Sequence, residues 1–272
     1  MTKDIGSLIG FTLIVQMGAG ALLLHVLAGY LATFQPAPSW ENRWNITILG
    51  LLVAGLVISF FHLGYPQHAV FALRNLGQSW LSREILSLAL LIGVAGVMAG
   101  LKLLGLGQPR LLVIAGGLAA LLALLLVLSM TMIYKVETIP NWNRVYTALS
   151  FFGSMLVLGG ILLYTYLRFG VAGWEGKDLL GFILQLVILA SLLMELLAVI
   201  LWAPPARYPV LQLLRITCLA LAFTGWLLLF RFPHVMPWRG YIALWVLATG
   251  LTLFQEIAGR YLFYTGYERV GV

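Results

Sequence analysis

Eight separate stretches of this 272-residue chain are each apolar over roughly 20 residues or more, the length at which a helix rising about 1.5 Å per residue crosses a hydrocarbon layer about 30 Å thick. They run from Ile5 to Phe34, Trp44 to Gly64, Ser82 to Leu104, Leu111 to Tyr134, Val145 to Phe169, Leu179 to Trp202, Val210 to Phe230 and Tyr241 to Tyr264. Inside a bilayer each backbone N–H and C=O must be satisfied by the chain itself, so stretches of this kind become helices. The expected fold is an all-α integral membrane bundle of eight transmembrane helices, a single domain over 1–272 with both termini on the same side. At 62% hydrophobic and 9% charged residues, the composition excludes an ordinary soluble domain.

The segments between the stretches are short and punctuated by Pro, Gly, Trp or charge, as in QPAPSWENR, YKVETIPNWNR and APPARYP. None is long enough to fold as a soluble domain. Any iron–sulfur or molybdenum centre serving this protein would therefore sit on a partner, and the chain reads as a subunit. Cys218 is its only cysteine, which leaves neither a disulfide framework nor thiolate ligation of a metal. The first stretch follows MTKD without a small-residue cleavage site at the right distance and reads as a retained helix. The net charge of +7 comes largely from cations flanking helix ends. Counted by side, with Arg260 set aside as embedded, eight Lys and Arg stand against seven, which fixes no orientation.

With eight spans, the termini and the even-numbered loops share one face, called here the even face; the odd-numbered loops share the odd face. The longest even-face loop, Tyr65 to Leu81, has Ala69, Val70, Leu73 and Leu76 at helical spacing, which suggests an interfacial helix and a docking surface. The unusual polar residues crowd the even half of the membrane. His62 ends the second stretch, with Arg74 in the loop beyond it, and Arg83 and Glu84 open the third. Tyr134 closes the fourth, and Trp142 precedes the fifth. Glu195 and Glu256 lie most of the way across the sixth and eighth from the odd face. The odd half has only His25 besides loop charges.

Ionisable groups in hydrocarbon cost several kcal/mol unless paired or hydrated, so the cluster calls for compensation. Glu256 and Arg260 stand at i, i+4, and Glu195 and Arg215 lie at comparable depth on consecutive antiparallel helices, giving two candidate structural charge pairs. His62 and Glu84 are the candidates for chemistry, since both exchange protons near neutral pH once their surroundings shift them. The four histidines do not form facing pairs at matching depth, so a transmembrane haem ladder is not expected, and the scattered carboxylates offer no metal cage. Proton-coupled chemistry on a lipid-soluble molecule is what remains. Quinol oxidation releases two protons and two electrons and needs a base, hydrogen-bond partners for the ring oxygens, and apolar walls. His62, Glu84, Arg83, Tyr134 and Trp142 are the expected quinol-site residues, with the electrons passing to a partner on the even face.

Four segments together, HLGYP at His62 to Pro66, SWLSRE at Ser79 to Glu84, YKVETIPNW at Tyr134 to Trp142, and EIAGRYLFY at Glu256 to Tyr264, resemble the DmsC family of membrane anchor subunits of dimethyl sulfoxide reductase. The resemblance extends over essentially the whole chain. It implies a complex of three subunits in a bacterial cytoplasmic (inner) membrane, in which this anchor oxidises menaquinol. Electrons would pass to a subunit with [4Fe–4S] clusters and then to a molybdopterin catalytic subunit. Carried onto matching positions, the family's quinol-site histidine is His62 and its functional glutamate is Glu84. Two other readings stand beside it: an anchor of the polysulfide reductase type, and a secondary transporter, which would show broken helices at mid-membrane.

Overall fold

The computed structural model describes residues 5–31, 37–61, 71, 73–171, 174, 176, 178–202, 208–233 and 235–266. Eight helices in this set are long and apolar enough to cross a membrane. They are α1 (Ile5–Leu31), α2 (Pro38–Ser59), α3 (Trp80–Leu103), α4 (Pro109–Ile133), α5 (Val145–Gly170), α6 (Leu179–Leu201), α7 (Pro209–Arg231) and α8 (Trp238–Thr265). The described residues contain no strand.

Several helices begin earlier than hydropathy suggests. α2 starts six residues before Trp44, α3 and α4 two before Ser82 and Leu111, and α8 three before Tyr241. The cause is capping chemistry, to which a count of apolar residues is blind. Pro38, Pro109 and Pro209 each open a helix, where the missing N–H costs nothing and the fixed φ suits the first turn. Ser79 caps α3 by accepting from the Ser82 N–H, and Asp178 caps α6 by accepting from the Gly181 N–H at 2.8 Å. In the even-face loop before α3, where an interfacial helix is expected, Phe71 is helical and Leu73–Asn75 form one 3-10 turn. Ala69 and Val70, on which half of that expectation rested, lie outside the described residues.

Helix contacts close into two rings. In the first, α1 packs on α2, α2 on α3, α3 on α4, and α4 back on α1; in the second, α5, α6, α7 and α8 do the same in order. The rings meet through α1 and α5, which form the most extensive helix pair in the molecule, with α1–α8 and α4–α5 contacts beside it. Burial follows from this placement: 72% of the apolar window of α1 and 61% of that of α5 are buried, against at most 39% in the other six. Glycine permits the central crossing. A Cβ on Gly20 would run into the Met155 carbonyl of α5, and one on Gly159 would run into the Gly20–Ala21 backbone of α1. Small residues at a helix crossing let backbones approach closely where no hydrophobic effect drives association. One buried apolar cluster, including Val15, Leu52, Leu91, Leu126, Phe151, Leu192, Trp226 and Leu262, runs through all eight helices.

Candidate functional site

At the even end of the first ring, α1, α2, α3 and α4 splay around a cavity of about 290 Å³. Its walls are mostly hydrocarbon: Leu8 and Phe11 of α1, Leu56 of α2, Leu81, Ile85 and Leu88 of α3, and Met130 and Ile133 of α4. Four polar side chains interrupt them, Thr12, Ser59, Glu84 and Tyr134. The Thr12 hydroxyl donates to the Leu8 carbonyl at 2.9 Å and the Ser59 hydroxyl to the Leu56 carbonyl at 2.6 Å. Each donates within its own helix; the Thr12 oxygen also accepts from the Tyr264 hydroxyl at 3.4 Å, while the Ser59 oxygen keeps its lone pairs for an incoming donor.

Glu84 is different. It lies in the second turn of α3, is only 6% exposed, and lines the cavity. Among the described residues its carboxylate has neither a hydrogen-bond nor an ion-pair partner, although buried carboxylates are ordinarily satisfied. A carboxyl group held in this way favours a ligand that can share a proton with it.

The five residues expected at a quinol site do not all meet here. Glu84 and Tyr134 line the cavity. Trp142 stands behind Tyr134, its ring edge-on at 5.2 Å, while its indole N–H donates to the Phe263 carbonyl of α8 at 2.9 Å. It therefore fixes Tyr134 and is not itself part of the wall. Arg83 turns away: its Nε and Nη2 donate to the carbonyls of Leu76 and Gly77 at 2.9 and 2.8 Å, and its guanidinium covers the Trp80 ring at 4.1 Å. It binds the loop before α3 onto the helix. Arg74 covers Phe71 at 4.8 Å and is exposed. His62 lies outside the described residues, two positions beyond the wall residue Phe60.

The four charged residues of the second half come together inside the second ring, and Arg260 reaches across the seam to the first. Arg215 Nη2 donates to Glu195 Oε2 at 3.0 Å, with 5% and 0% of the two side chains exposed. Glycines make the room: a Cβ on Gly153 would stand 2.7 Å from Glu195 Oε1, and one on Gly259 2.7 Å from Arg215 Cζ. Glu256 and Arg260, expected to face each other one turn apart, do not touch. Ser154 stands between them, donating to Glu256 Oε2 and accepting from Arg260 Nη2 at 3.0 Å. Arg260 also donates to Gln16 Oε1 of α1 at 2.8 Å and lies over the Phe151 ring at 3.7 Å. The network therefore ties α1, α5, α6, α7 and α8 together. It borders the cavity through Gln16, whose amide donates to the sulfur of the wall residue Met130 at 3.8 Å. Sequence reading passed over Gln16 and Ser154. Gln16 had a usable signal, a lone amide amid apolar neighbours; Ser154 had none, because serines are common in such helices.

The sequence matches the family profile described as DMSO reductase anchor subunit (DmsC) over residues 4–266. It is 29% identical over 283 residues to the YnfH chain of the anaerobic dimethyl sulfoxide reductase of Escherichia coli, an alignment covering 97% of this protein and 95% of that one. To the C component of the anaerobic dimethyl sulfoxide reductase of the same organism it is 28% identical over 277 residues, covering 96% and 94%. It is also 30% identical over 211 residues to the C component of the sulfite dehydrogenase of Allochromatium vinosum, covering 70% of this protein and 63% of that one.

Proposed function

Because this chain belongs to the DmsC family of dimethyl sulfoxide reductase anchor subunits, an integral membrane protein with eight spanning helices, we propose that it is the quinol-oxidising subunit of its complex. In this reading the substrate is menaquinol, and the complex lies in the bacterial cytoplasmic membrane. The electrons pass to an iron–sulfur subunit on the even face and from there to a molybdopterin catalytic subunit.

One observation carries the reading: a nearly buried carboxylate, Glu84, without a partner among the described residues, in a cavity whose other walls are largely hydrocarbon. A quinol ring with an isoprenoid tail needs that combination, apolar surface for the ring and tail and one strong acceptor for a hydroxyl. Glu84 accepts the proton of one quinol hydroxyl, and His62 is assigned to the other oxygen. As the quinol becomes quinone, two electrons leave to the iron–sulfur partner and two protons leave toward water. Tyr134, held edge-on by Trp142, supplies a hydroxyl and a ring face to the cavity wall. The terminal acceptor belongs to the catalytic subunit. A transporter with a mid-membrane site would interrupt its helices, whereas the eight described here run unbroken from end to end.

The test is turnover of the assembled complex with two electron donors. Glu84→Gln and His62→Ala should each lower menaquinol-driven reduction by at least about 100-fold, the usual worth of a positioned proton acceptor. Reduction driven by an artificial donor that enters at the iron–sulfur subunit should stay within twofold of wild type. Quinol-driven turnover that survives Glu84→Gln at more than half the wild-type rate would sink the proposal.

A further inference from the structure

The ring that holds the Glu84 cavity is hollow at both ends. At the odd end, the same four helices border a second, more open cavity of about 220 Å³. Counting along α1, His25 of this cavity lies 13 residues beyond Thr12 of the first, about 20 Å at helical rise, so the two are separate spaces. The second is more polar: His25 and Tyr30 of α1, Glu41 of α2 and Lys102 of α3 line it, with Met98, Leu112 and Val113 supplying apolar wall.

Two features give this cavity the character of a binding site. The first is an unused ring nitrogen. Among the described residues, His25 Nδ1 is buried with no hydrogen-bond partner, while its ring lies 5.9 Å from Trp40 and 5.5 Å from Trp44, which stack on each other. With Nδ1 closed off, the imidazole meets the cavity through its other edge, where Nε2 has no hydrogen-bond partner among the described residues and can face a ligand oxygen. The second is charge balance. Lys102 Nζ holds Glu41 Oε2 at 2.7 Å, so the ion pair on the wall is already neutralised. Two ammonium hydrogens remain to donate without a free positive charge to attract a phosphate. Depth points the same way: His25 lies six residues inside the end of α1, about 9 Å below it, deeper than a lipid phosphate sits.

We infer that this cavity is a second site for a neutral quinone-class ring bearing an apolar tail, with the Nε2 edge of His25 facing one ring oxygen and Lys102 available to another. The ligand class rests on the proposed function, whereas the site rests on His25, Lys102, Glu41 and the cavity they line.

The experiment uses the assembled complex in phospholipid nanodiscs with a photoreactive naphthoquinone carrying a short isoprenoid tail, and labelled peptides are mapped by mass spectrometry. The expected result is label in two places, around Leu81–Ala89 at the even end and around Met98–Lys102 or Leu112–Gly116 at the odd end, both displaced by unlabelled menaquinone. His25→Leu should lower the odd-end label at least fivefold and leave the even-end label. Val113→Trp, which fills the cavity from its exposed rim, should do the same and guards against a folding defect at His25. Label confined to the even end, or odd-end label displaced by an added anionic phospholipid but not by menaquinone, overturns the inference. Odd-end label that behaves as expected while none forms near Glu84 upholds the second site and overturns the Glu84 reading.

Discussion

Arg83 and Glu84 are adjacent on α3, yet about 100° of helical rotation separates them, and that angle divides their work. Arg83 meets loop carbonyls; Glu84 meets the cavity. Adjacency in sequence had grouped both with the quinol site, because which carbonyls a guanidinium will find depends on how the preceding loop folds back. Replacing Arg83 by Leu should therefore loosen the loop and leave quinol binding within a few-fold of wild type, measurable by titration of a quinol-site inhibitor. A loss as large as that of Glu84→Gln would return Arg83 to the site. The Glu195–Arg215 pair allows a sharper forecast. Arg215→Met leaves a carboxylate uncompensated at 0% exposure and should destabilise the bundle by about 3–5 kcal/mol in denaturant unfolding. Adding Glu195→Gln should recover part of that loss, and an additive double variant would show that the two do not act as a pair.

Helices carry the next level of information, and here the sequence was legible where hydropathy is strong. Eight spans were readable because about 20 apolar residues have no other stable fate in a membrane. Their starts were less so, since Pro38 and Ser79 act through caps that no apolar count registers. Least visible was which helices are central. α1 and α5 rank in the middle of the eight helices in hydropathy; Gly20 and Gly159 set them apart, at a crossing that exists only once both helices are placed. The cavity is hidden for the same reason, since Thr12, Ser59 and Glu84 come from three helices and share a space only in the closed ring. Gly20→Leu should push α1 off the Met155 carbonyl, lower the unfolding midpoint of the purified protein and reduce assembly with its partners. Gly6→Leu, at a glycine of the same helix with open space around it, serves as the matched control and should be nearly silent.

At the scale of the whole molecule, each half of the sequence closes its own ring of four helices, and the halves are connected by the exposed segment around Val136–Thr138. A protein built in this way should tolerate a break there. Residues 1–137 and 138–272, produced together as separate polypeptides, should associate in the membrane and copurify, because α1 and α5 meet without help from the connection. Failure of the halves to associate would mean that the connecting segment supplies more than continuity. The charged network adds to the same seam, since Arg260 of the second ring reaches Gln16 of the first, and Gln16→Leu should weaken copurification of the two halves.

The rim of the Glu84 cavity is formed partly by Phe60 and Leu81, at 43% and 46% exposure, on the outward side of α2 and α3. If the proposed quinol enters across that rim, it reaches Glu84 sideways out of the bilayer. Its effective concentration is then a mole fraction in lipid. An apparent KM expressed per volume of buffer will rise in proportion as the same amount of enzyme and quinol is diluted with more phospholipid, with no change in the protein at all.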